Sequence, residues 1–108
     1  MAYAQLDGST ITDWDSFHSQ CAASFEFPDF YGRNMNAWID CLTYIREGDM
    51  MSRFILGPDD PLVIEITDAL AMIERVPAIF QALIGCTAHV NQRHREMGQI
   101  PGIHLLFV

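Results

Sequence analysis

The run FPDFYGRNMNAWIDCLT, residues 27–43, brings Phe27, Phe30, Tyr31 and Trp38 together with Asp29, Arg33, Asn34, Asn36 and Asp40. Two kinds of chemistry suit that mixture. Acid–base catalysis needs two carboxylates, or a histidine with a partner, converging on one pocket. Asp29 and Asp40 are the neighbouring candidates, and both are expected on an exposed loop and helix face, where pKa tuning is weak. Docking to another protein needs less: rings supply contact area and keep water from a carboxylate mounted on a rigid helix. Pro28 as a helix stop, Gly32 as a turn, Asn34 as a cap and Phe27, Phe30 and Trp38 as core cover explain much of the run. Tyr31, Asn36, Asp40 and Tyr44 are left over, and they point to docking.

Elsewhere the chemical signals are thin. His89 and His94 are five apart, out of line for a helical ligand pair, and HExxH is absent. His18 falls on the expected exposed side of the first helix, and His104 in a strand. No GxSxG, GxGxxG or Walker pattern occurs, and the chain has no lysine, which removes Schiff-base and P-loop lysine chemistry. No cofactor and no metal are expected, and the chain reads as a binder, not an enzyme. The competing hypothesis is a small hydrolase using Asp40 and a histidine brought close by folding, which would require a concave pocket and a shifted pKa. Cys21, Cys41 and Cys86 are odd in number and lack CxxC spacing, and no signal-peptide pattern or long apolar run is present. Reduced thiols, a cytoplasmic location and no membrane association are the expectation.

Charge narrows the partners. The formal net charge is −8 over 108 residues. Residues 1–74 hold thirteen of the fourteen acids against Arg33, Arg46 and Arg53, whereas residues 75–108 hold Glu96 against Arg75, Arg93 and Arg95. An acidic body repels phosphate backbones, so direct nucleic-acid binding is disfavoured and a basic protein partner favoured.

The elements that must position this chemistry follow from period and punctuation. At 108 residues with 50% hydrophobic side chains, one domain spanning 1–108 is expected. AYAQL reads as a strand and DGST as a turn, and Thr12 with Asp15 gives a capping pattern for a first helix. Trp14, Phe17, Cys21 and Phe25 recur on one helical face, and Pro28 ends that helix by about Phe25. A second helix over about 34–45, capped by Asn34, turns Trp38, Leu42, Ile45, Cys41 and Met35 inward with Ile39 at the edge; Asn36, Asp40, Thr43 and Tyr44 face out. Residues 46–60 form a loop that tucks Phe54 and Ile55 against the body. PLVIEI and IHLLFV are nearly continuous apolar runs, the pattern of strands covered on both faces. Between them lie a helix over 68–75 and a longer one starting at Pro77, its face carried by Ile79, Phe80, Leu83, Ile84, Val90 and Asn91 and its end marked by Gly98. The order strand, helix, helix, strand, helix, helix, strand implies an α/β fold: a small three-stranded parallel sheet packed by about four helices.

On FPDFYGRNMNAWIDCLT, the sequence resembles the barstar family of intracellular ribonuclease inhibitors. The match lies in the aromatic loop, Tyr31-Gly32, Asn34, Ala37 and the stretch Asp40-Cys41-Leu42-Thr43, with weaker support from LDGSTI, PLVIEI and the terminal helix, glycine and strand. The resemblance implies a non-enzymatic inhibitor, monomeric when free, that plugs the active site of a basic secreted ribonuclease or related toxin. Asp40 would be the central acid, entering a phosphate site, with Phe30, Tyr31, Gly32, Asn34, Asn36, Ile39, Thr43 and Tyr44 bordering it. The chain departs from the family pattern at Asn36, where a second acid is common, at Phe30, which lacks a hydroxyl, and near Arg93 and Arg95, where only Glu96 is acidic. A barstar-like module that has lost inhibition and self-associates through FIL or the last strand is a further alternative.

Overall fold

The computed structural model describes residues 2–48 and 51–108. Along the chain run β1 (Ala2–Asp7), a 3-10 turn (Gly8–Thr10), α1 (Trp14–Phe25), α2 (Met35–Thr43), β2 (Leu62–Thr67), α3 (Ala69–Arg75), α4 (Pro77–Glu96) and β3 (Ile103–Phe107). The strands are parallel in the order β1-β2-β3, with Leu62 level with Ala2 on one side and Ile103 on the other. Each crossover carries two helices, because parallel neighbours need a connection long enough to bring the chain back to the starting edge. The expected α/β architecture of three parallel strands and four helices is the one observed.

Ala4, Leu6, Leu62, Ile64, Ile66 and Ile103 point into the core, where they meet Phe17, Phe25, Trp38, Leu42 and Leu83. The other sheet face was expected to be covered and is not. Tyr3, Gln5, His104 and Leu106 are exposed there, and Val63, Glu65 and Thr67 are half-exposed. Glu65 explains the difference: its carboxylate accepts from the Tyr3 hydroxyl and from Gln5 Nε2 at 2.8 Å, an arrangement suited to a wet surface.

The caps refine the helix limits. Asp13, not Thr12, opens α1: its carboxylate accepts from the Ser16 amide at 2.8 Å while Ser16 Oγ accepts from the Asp13 amide at 3.1 Å. Glu26 then takes a left-handed backbone, φ 52°, and turns the chain toward Pro28. α2 stops at Thr43, earlier than the expected 45, and Tyr44 is its C-cap. α3 and α4 meet at a bend of 115° where Pro77 starts the longer helix. The buried stripe of α4 is Ile79, Leu83, Thr87, Val90 and His94, so Ile84, one residue round from Leu83, is left exposed. Gly98, at φ 76°, follows the helix end as expected.

The connection from α2 to β2 is held mainly by arginine. Phe54 and Leu56 are buried, but Ile55, expected against the body, is 78% exposed, since an extended segment alternates its side chains. Asp49 and Met50 of that loop lie outside the described residues. Arg46 donates to the carbonyls of Gly57, Asp60 and Ile100, tying the loop to the approach to β3. Arg53 donates to Ser24 O at 2.8 Å and lies 4.0 Å from the centre of the Phe54 ring. Arg75 donates to Gly8 O and Ile11 O, joining α3 to the turn after β1. Gly8 itself sits so close to β2 that a Cβ there would lie 2.4 Å from Thr67 O.

Candidate protein-docking site

The aromatic loop is pinned from inside. Phe27 packs against Phe25 and Tyr31, with ring centres 5.2 and 4.6 Å apart. Tyr31, expected at the docking surface, is buried instead, and its hydroxyl meets His18 Nδ1 at 2.6 Å. His18 is accordingly buried, not on the exposed side of α1. The pairing satisfies two polar groups that would be costly to bury alone. Burial lowers the proton affinity of His18, and Arg33 lowers it further against the opposing effect of Asp15. Arg33, at φ 54°, reaches back to Asp15 O, the Asp15 carboxylate and Ser19 Oγ, fixing the loop on α1.

With those anchors set, Phe30 is left 76% exposed, contrary to a core-covering role. Gly32 is exposed, and the Asn34 carboxamide is engaged on both sides: Oδ1 accepts from the Ala37 amide at 2.8 Å and Nδ2 donates to Gly32 O at 3.2 Å. This cap starts α2 rigidly at its N-terminus. Trp38, Cys41 and Leu42 fasten its inner side, and Asn36, Asp40 and Tyr44 face outward as the helical period requires. Two other candidates face inward. Ile39 is buried, and Thr43 is buried because its hydroxyl donates to Ile39 O at 2.7 Å, one turn back.

Asp40 meets a cation of its own chain. Arg93 Nη1, on α4, donates to Asp40 Oδ1 at 2.9 Å, with side chains 57% (Asp40) and 39% (Arg93) exposed. A pair this open to solvent is worth ~0.2–1 kcal/mol, so it neither seals nor strongly immobilises the carboxylate. Asp40, Thr43 and Tyr44 of α2 and Arg93, Glu96 and Met97 at the end of α4 line an open depression of about 350 Å³. A second depression of about 280 Å³, between Trp14, His18, Arg33, Asn34 and Met35, adjoins the loop.

His94 holds the walls of the first depression together. Fully buried, it accepts from the Gly102 amide at Nδ1, 3.1 Å, which fixes the proton on Nε2. Nε2 faces the carbonyls of Leu42 and Thr43 at 3.2 and 3.1 Å, groups that the end of α2 leaves short of partners. His94 therefore serves structure and does not reach Asp40, whose hydrogen bond among the described residues is to Arg93. Among the described residues no hydrogen bond joins Asp40 to a histidine; the carboxylate meets the Arg93 guanidinium instead. Among the described residues no group of three or more His, Cys, Asp or Glu gathers as a metal cluster.

Arg93 is the neighbour of Asp40 that sequence reasoning missed. It lies 53 residues away along the chain, and no local pattern links the two. The run Arg93-His94-Arg95 reads as a favourable helix end, which hides both the ion pair and the buried clamp.

A parallel three-stranded sheet packed by four helices, with an acid projecting from a capped helix that follows an aromatic loop, defines a small α/β protein. The family model described as Barstar (barnase inhibitor) matches residues 1–104, and the chain belongs to that family. It is also 40% identical over 38 residues to a protein of Bacillus subtilis (strain 168) named "Putative ribonuclease inhibitor YrdF". That stretch is 35% of this chain and 42% of the relative, so the chain spans less than half the length of the relative it matches.

Proposed function

We propose that this chain is a protein inhibitor, of the immunity or antitoxin kind, that lays α2 and the preceding loop across the active site of a basic ribonuclease. The observation that carries the proposal is the outward carboxylate of Asp40 on a helix capped by Asn34, with Tyr44 lining the same depression and Phe30 exposed on the preceding loop. Family membership supports it. A cleft that binds RNA has to be positive, and a preformed carboxylate can occupy the place of a phosphate there with little loss of entropy. The role is non-enzymatic and needs no cofactor, and a cytoplasmic site of action beside a toxin made in the same cell belongs to the same proposal. Asn36, Gly32 and Asn34 complete the contact surface. Tyr31, Ile39 and Thr43 shape it from beneath.

The test uses the protein as bait with Asp40→Ala and Glu47→Ala as variants, followed by RNA-cleavage assays on what is captured. The native protein and Glu47→Ala should both retain a ribonuclease and silence it, and Asp40→Ala should lose it with thermal stability nearly unchanged, as an exposed acid holds little folding energy. Equal retention by all three baits would refute the proposal.

A further inference from the structure

Granting that docking face, we infer that Arg93 is a specificity-determining residue that matches this chain to a ribonuclease presenting one net positive charge opposite Asp40, and against one presenting several. The depression between α2 and the end of α4 has three charged lining residues, Asp40, Arg93 and Glu96. Asp40 and Glu96 alone would offer two negative charges; Arg93 cancels one of them. When a partner's cation takes Asp40, Arg93 either stays and shares it or swings to Glu96, three residues along the same helix and within reach at that spacing. Neither move changes the balance.

Breaking the existing pair is not the obstacle. Both side chains are more than one-third exposed, and a pair of that kind shifts an equilibrium by about fivefold at most. What Arg93 meets after docking decides the outcome. A cleft that brings several cations to this depression leaves a surplus positive charge facing the guanidinium as water is expelled, and an uncompensated charge in a closed interface is a strong discriminator. A cleft that brings a lone guanidinium or ammonium, or two cations with a carboxylate beside them, leaves nothing unpaired. The partner is thus a ribonuclease whose phosphate site carries a compensating acid, or one cation fewer, at this point.

Barnase, the enzyme in the family's description, is the probe, standing for a nuclease cleft that gathers several cations around a phosphate, the kind that Arg93 works against. Inhibition of its cleavage of a fluorogenic RNA oligonucleotide is measured for the native protein, Arg93→Gln, Arg93→Glu, Arg95→Glu, Asp40→Ala and Asp40→Ala with Arg93→Gln, each confirmed folded by its melting curve. Arg93→Gln should inhibit at least about tenfold more tightly than the native protein, and Arg93→Glu more tightly again. Arg95→Glu should stay within about threefold of native, because Arg95 lies outside the depression and its charge acts only at long range. The gain should vanish in the Asp40→Ala, Arg93→Gln double variant. The inference is overturned if neither Arg93 variant gains over native, including the case in which no variant inhibits, or if Arg95→Glu reproduces the gain. Failure of the docking face itself looks different: the double variant would keep the full gain of Arg93→Gln, and both ideas would fall together.

Discussion

Replacing His94 with leucine should cost the protein stability and, with it, the shape of the depression between α2 and the end of α4. The imidazole is fully buried and bridges three elements: the end of α2 through Leu42 O and Thr43 O, its own helix α4, and Gly102 at the entrance to β3. Leucine fills a similar volume and leaves the Gly102 amide and the Thr43 carbonyl without their partner. At ~1–3 kcal/mol for each orphaned buried group, with some relaxation, the loss comes to about 2–4 kcal/mol. In a chain of this size that is a fall in Tm of about 8–16 °C. The same ring makes stability depend on pH. Burial, the larger cause, and then Arg46 push its proton affinity below the usual 6.5, against the pull of the Leu42 and Thr43 carbonyls. The unfolded chain therefore takes up the proton first, so stability is complete above neutrality and declines as the pH falls below about 6.5 toward the folded-state value. Protonated, Nδ1–H would face the Gly102 N–H, donor against donor. His18 acts in the same direction through its own burial, so Tm measured by far-UV circular dichroism between pH 7.5 and pH 5 should drop for the native protein and drop less steeply for His94→Leu. A variant Tm within about 2 °C of native at pH 7.5, or identical pH slopes, would show that the clamp carries no such weight.

Gly8→Ala forces a Cβ to within 2.4 Å of Thr67 O, and the urea midpoint should fall by the equivalent of about 1–3 kcal/mol; an unchanged midpoint would mean that β1 and β2 separate freely there. Phe30→Ala and Tyr31→Phe should split cleanly. The first should weaken capture of the ribonuclease with stability changed by less than about 0.5 kcal/mol, and the second should lower stability by about 1 kcal/mol, through the lost bond to His18, while capture persists; the reverse pattern would invert the roles given to the two rings. Burial pushes the Cys21 thiol up to about 12 and also raises the half-buried Cys86, so a disulfide reagent at pH 8 should attack Cys86 first and Cys21 only on unfolding, and rapid labelling of native Cys21 would contradict its burial.

The element order was legible because each boundary has a local cause: Pro28 and Pro77 constrain the backbone, Gly98 ends a helix, and apolar side chains recur at the period of the element they build. Errors fell where a non-local partner decides. Thr12 and Asp13 are both good caps, and only the reciprocal bond with Ser16 selects the second. His18 looks like a surface residue until the Tyr31 hydroxyl, thirteen positions on, satisfies it. In PLVIEI the apolar density masked Glu65, which needs Tyr3 and Gln5 from another strand and a wet face to sit on. The outward placement of Asn36, Asp40 and Tyr44 followed from one helical turn; Thr43 escaped the pattern by satisfying its hydroxyl within its own helix. The link from Arg93 to Asp40 depends on how α4 crosses α2, which no spacing in the chain encodes.

The inward commitment of the arginines has a practical corollary for handling the protein. Trypsin cuts after lysine, which is absent, or arginine, and Arg33, Arg46, Arg53 and Arg75 lie folded onto backbone carbonyls, while Arg93 and Arg95 sit inside a helix. A protease needs slack chain around its target bond, and at these arginines the bonds to carbonyls or the helical turn must first let go. Tryptic digestion rate should therefore serve as a gauge of how often the native state opens, readable in crude mixtures where no spectroscopic signal could be resolved.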